Sequence, residues 1–148
     1  MFHPDRTPEH PIQVRALREG DIAFLPHYIS GLFARSQADP GVSLVACERD
    51  AVPPVFYGAL LCKERFLEEG PLSGPGIEMV EYSSSGACDP LAFVSQLRKI
   101  LMGAKDGEGN PRYRFLYARV WNPETAERLC QRYGFSRLEG DPTVLYHM

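Results

Sequence analysis

Ser83, Ser84, Ser85 and Gly86 place three hydroxyls and a bare backbone amide just before Asp89-Pro90, residue types suited to an N-cap and a first helical position. Hydroxyls and N–H groups at the positive end of a helix dipole have the chemistry to hold a phosphate. The same stretch also reads as a polar turn, and Asp89 would set a negative charge beside any anion held there. On the run before it, Glu78 and Glu81 are three residues apart, so on a strand they point to opposite faces. Cys47, Cys62, Cys88 and Cys130 form no Cys-x-x-Cys pair, and His3, His10, His27 and His147 are equally scattered. That spacing offers no zinc or iron–sulfur site and reads as free thiols in a reducing, cytoplasmic compartment. Arg112, Arg114 and Arg119 interleave with Tyr113 and Tyr117. Arg112 and Arg114 share one strand face and Arg119 the other, which suits a solvated sheet edge better than a nucleic-acid face.

These groups need elements to carry them. Alternation and apolar runs predict strands over 12–17, 42–47, 55–63, 77–82, 113–121, 135–139 and 143–147. Helical spacing predicts helices over 21–36, 89–104 and 123–133, two of them opened by a cap-plus-proline pair at Asp89-Pro90 and Asn122-Pro123. Pro26 either kinks the first helix or starts its regular part. The glycines and prolines over 67–76 predict a loop. Residues 1–11 carry three prolines without periodicity and read as a flexible arm, leaving 12–148 as a single domain.

Composition narrows the classes. The chain has 148 residues, 44% hydrophobic and 24% charged, which excludes a disordered or fibrous chain and suits one globular domain. The net charge of −3 argues against nucleic acid or anionic membrane as a partner. No apolar run approaches the roughly 18 residues of a membrane span, and the first residues hold no secretory h-region.

The order of strands and helices predicts an α/β (α+β) fold around one central sheet. At the C-terminal end, Asn122, Ala126 and Leu129, followed by Tyr133-Gly134-Phe135 leading into a strand, resemble the signature of the GNAT acetyltransferases. The resemblance covers the chain from about Ile12 to Met148. It implies a mixed, splayed sheet of about seven strands, opened between the fourth and fifth, with helices on both faces and acetyl-CoA in the opening. The cofactor residues it implies are Val80, Tyr82, Ser83, Ser84, Ser85, Gly86 and Asn122. It implies Glu81 or Glu78 as the base that deprotonates an amine, and Cys130 at the position where the family keeps an acidic tyrosine. A thiol with a pKa near about 8.5 can donate a proton, although the position fits a small buried hydrophobe better.

The chain also departs from that pattern. Ser85 stands where the family has a basic residue, and Cys88 and Pro90 stand at its glycine positions. Pro90 has no N–H to offer a phosphate. The implied activity is acetyl transfer from acetyl-CoA to an amine of a small molecule or peptide, by a monomer or homodimer, with weakened acetyl-CoA binding. The alternative is a non-catalytic GNAT-like module that binds another ligand or a protein partner.

Overall fold

A computed structural model describes residues 11–84 and 90–148. The expected arm thus lies outside the described residues except for Pro11, as do Ser85, Gly86, Cys88 and Asp89. Strand β1 (Ile12–Ala16) leads through a 3-10 turn (Glu19–Phe24) into α1 (His27–Ser36), and a second 3-10 turn (Pro40–Val42) leads into β2 (Leu44–Glu48). Then come β3 (Phe56–Glu69), β4 (Leu72–Ser84), α2 (Pro90–Gly103), β5 (Phe115–Arg119), α3 (Pro123–Tyr133), β6 (Ser136–Leu138) and β7 (Asp141–His147). The strands form one seven-stranded sheet in the order β1-β2-β3-β4-β5-β7-β6. β5 runs parallel to β4 and antiparallel to β7, so the sheet is mixed, as the sequence predicts. Among the described residues, no helix is long and apolar enough to cross a membrane.

The chain divides into two compact units. The first runs to Lys63 and includes Val80–Leu97. Here β1 and β3 flank β2 in antiparallel register, and all five residues of β2 are buried. Leu25 and Ile29, with Leu32 and Phe33 packed beside them, lie against Val45, Cys47, Ala59 and Leu61. Helix α1 begins after Pro26, because Leu25 is extended, as a residue before proline prefers, and Pro26 serves as N-cap. The first predicted helix is therefore a 3-10 turn plus a shorter α-helix. Val42 likewise belongs to a 3-10 turn rather than to the second strand. The entry to α1 is tied down by Asp21, which is 4% exposed. It accepts from Arg15 Nη1 and Nη2 at 2.7 and 2.9 Å and from the Arg18 amide at 2.8 Å.

The second unit comprises Glu64–Met79 and Arg98–Met148. Its core joins Leu72, Phe115, Tyr117, Leu138 and Val144. The predicted loop over 67–76 is instead the end of a long hairpin that turns at Gly70 and Pro71. Gly74, Pro75 and Gly76 are strand residues. Pro75 offers only its carbonyl, which accepts from the Arg114 amide at 2.8 Å just before the paired stretch of β4 and β5 begins at Gly76. Gly76 lies against the Phe115 ring, where any side chain would collide. Glycine and proline, read in the sequence as punctuation, here permit close packing between β4 and β5.

α3 starts at Asn122, whose side-chain oxygen accepts from the Glu124 and Thr125 amides at 2.9 and 3.2 Å. It ends at Gly134 in the left-handed region, φ 74°, a conformation that favours glycine. Nearby, His147 packs edge-on against Phe135, and its buried Nδ1 has no hydrogen-bond partner among the described residues. Burial and then the Arg98 charge hold its pKa below the ordinary 6.5. The unfolded chain therefore binds more protons just below 6.5, and stability falls as pH drops through that window. His147→Gln is expected to flatten this part of a urea-midpoint profile, and an unchanged slope below 6.5 would assign the dependence elsewhere.

Candidate functional site

β4 carries six of the predicted site residues on one strand. Its register with β5 covers three pairs, Gly76↔Phe115, Ile77↔Leu116 and Glu78↔Tyr117, and β4 itself continues to Ser84. At the last pair, the Tyr117 hydroxyl donates to Glu78 Oε2 at 2.8 Å. Tyr117 is 2% exposed, whereas Glu78 is half-buried. Burial, reinforced by the hydrogen bond and charge of Glu78, pushes the Tyr117 phenol up to about 12 against an opposing effect of Arg65. At neutral pH the phenol is therefore a fixed, neutral donor to the carboxylate. Tyr117 is absent from the residues expected from the sequence. The available signal is a tyrosine inside an otherwise apolar buried strand, since a buried hydroxyl requires a partner.

Farther along β4, Val80 and Ser83 are half-buried, and Glu81, Tyr82 and Ser84 are exposed. The Tyr82 hydroxyl lies 3.0 Å from Ser84 Oγ, and its ring meets Phe93 of α2 edge-on at 5.4 Å. Helix α2 is described from Pro90 onward. Ser83 and Ser84 thus end a strand shortly before a helix begins, a context suited to an anion.

The other predicted residues sit on or next to α3. The Asn122 oxygen is committed to the helix cap. Cys130 is a free thiol and half-buried, because it lies at the edge of the inward stripe, beside exposed Gln131. Cys62 is fully buried. Elsewhere in the second unit, Glu64 accepts from Arg112 Nη2 at 2.9 Å and from the Tyr113 hydroxyl. Glu64 is exposed and makes these contacts at the surface. With Arg65, Phe66 and Pro75 these residues line a cavity of about 210 Å³.

No family model matches the chain, and no curated protein matches it in sequence. Solved structures do match in fold. A KacTA–DNA complex superposes with a TM-score of 0.65 at 16% identity, covering 93% of this chain and 92% of that one. AtaT complexed with acetyl-methionyl-tRNAfMet matches with a TM-score of 0.65 at 10% identity, covering 93% of this chain and 94% of that one. AtaTR bound with acetyl-CoA matches with a TM-score of 0.56 at 12% identity, covering 92% of each chain. The fold is GNAT-like.

These matches correct one expectation. Net charge argued against a nucleic-acid partner, and the family resemblance implied a small-molecule or peptide amine. Yet proteins of this fold are solved with DNA and with an acetylated tRNA. A net charge summed over a whole chain does not report the local surface that meets a polyanion. The exclusion of nucleic acid therefore does not stand.

Proposed function

We propose that the protein is an N-acetyltransferase that uses acetyl-CoA. The observation that carries this reading is the course of β4 within a GNAT-like sheet. The strand pairs with β5 only as far as Glu78↔Tyr117 and runs on to Ser84, shortly before α2. Val80, Tyr82, Ser83 and Ser84, continued by Ser85 and Gly86, are the residues that would hold acetyl-CoA. When bound, acetyl-CoA supplies the acetyl group as a thioester: an amide C–N bond replaces the C–S bond, and the thiol is released.

Glu78 is the base in this reading, because its carboxylate is half-buried and oriented by Tyr117, whereas Glu81 is exposed. It takes a proton from the acceptor's ammonium so that the lone pair can react. Cys130 is the candidate proton source for the departing thiolate. The acetyl-CoA contacts are weakened by Ser85 and Pro90. Losing one or two hydrogen bonds to charged groups lowers affinity by roughly tenfold to several hundredfold.

The test is acetyl transfer itself. The protein is incubated with acetyl-CoA and separate amine pools, aminoacylated tRNA among them, while thiol release and labelled product are followed. Amine-dependent thiol release supports the reading. Binding of acetyl-CoA without transfer to any pool would favour the non-catalytic module instead. A large drop in rate to a measurable residual in Glu78→Gln, with Glu81→Gln unaffected, would fix the base. An unchanged rate in Cys130→Ala would leave solvent as the proton source.

A further inference from the structure

We infer that Tyr117 is a positioning residue for Glu78: its buried hydroxyl fixes Oε2 of the carboxylate at the last paired position of β4 and β5. Oε1 is then the oxygen that takes the acceptor's proton. This rests on the acetyltransferase reading and on Glu78 as its base.

Three observations support it. Glu78 and Tyr117 are direct register partners in the three-pair stretch, so the backbone sets their side chains side by side. The hydroxyl donates to Oε2 at 2.8 Å. The Tyr117 ring is packed with Leu72, Phe115, Leu138 and Val144, which leaves the hydroxyl little freedom to swing away. Arg65 is the other charged group acting on Tyr117 besides Glu78. A carboxylate held by a fixed donor needs no reorganisation when the acceptor arrives. The protons balance: the acceptor's ammonium gives one to Oε1, its nitrogen sheds a second as the C–N bond forms, and that second one replaces the proton taken by the departing thiolate, while Tyr117 keeps its own. The phenol orients the base and does not itself react.

The decisive variant is Tyr117→Phe, which keeps the ring in the core and removes only the oxygen. A thermal melt first confirms that it folds. The expected result is a kcat lowered by about 10-fold with KM within about 2-fold. In a Glu78→Gln background, Tyr117→Phe should change kcat by less than about 2-fold. An equal loss in both backgrounds, or a KM that changes as much as kcat, would overturn the inference.

A second measurement does not depend on turnover. With carboxyl carbons of glutamate isotopically labelled, the Glu78 resonance is assigned by its loss in Glu78→Gln and its position is compared by NMR at neutral pH. A resonance displaced in Tyr117→Phe supports the hydrogen bond, and an unmoved one overturns it. A wild-type protein that transfers no acetyl group refutes the acetyltransferase reading, while this comparison still reports whether Tyr117 holds Glu78.

Discussion

Gly76→Ala is expected to destabilise the protein by about 3 kcal/mol or more, a large share of a typical domain's stability. A Cβ at this position would lie 2.2 Å from Phe115 Cε2 and 2.6 Å from both Cδ2 and Cζ. The ring cannot retreat, because Phe115 is fully buried among Leu72, Tyr117, Leu138 and Val144. Relief must come from separating β4 and β5 at the register that sets Glu78 beside Tyr117. Urea unfolding measures the loss. Phe115→Leu in the same chain should recover part of it by vacating the ring's space. Gly103→Ala is the control. It ends α2 with nothing within 4 Å, so it should be neutral or stabilising by up to about 1 kcal/mol. A Gly76→Ala protein as stable as the wild type would contradict the close approach of the two strands.

Asp21→Asn is expected to cost about 3–5 kcal/mol, because it leaves the Arg15 guanidinium buried without its countercharge. The carboxylate side chain is 5% exposed and that of Arg15 16%, so solvent does little to replace the lost pairing. Burial by itself would raise the Asp21 pKa. The paired Arg15, the Arg18 amide and their charges outweigh burial and hold it below 3.8. A folded-state pKa below the unfolded value means that Asp21 stabilises above 3.8 and loses this contribution as pH falls through its folded pKa. Between neutral pH and 3.8 the difference between wild type and Asp21→Asn should stay constant, and it should narrow on further acidification. A difference that grew on acidification would reverse the sign and refute the pairing. Replacing Arg15 by methionine in the Asp21→Asn chain should restore stability in part, since the stranded cation is the larger cost.

Local chemistry made much of the fold legible in the sequence. Asn122-Pro123 opens α3 and Gly134 closes it, as the cap, the first-turn proline and the left-handed glycine dictate. The alternating and apolar runs yield seven strands in the right order. The hairpin end at Gly74–Gly76 was not legible, because glycine and proline mark turns in most sequences and packing positions in a few. What decides between these roles is the Phe115 ring, about forty residues away in sequence, which no local pattern contains. The same limit applies at the candidate site. The resemblance, with two carboxylates on the fourth strand, could name only Glu81 or Glu78 as the base. The pairing of Glu78 with Tyr117 depends on a parallel register that only the folded sheet defines. Net charge failed as a guide to partners because it discards position.

A calorimetric titration of the full chain with acetyl-CoA tests the central claim most directly. The account predicts saturable binding at one site, with a Kd between about 10 µM and 1 mM given the weakened loop. Ser85→Arg with Pro90→Gly should tighten it by restoring a charge and an N–H. No saturable heat at millimolar acetyl-CoA would contradict the assignment of this GNAT-like fold to acetyl transfer.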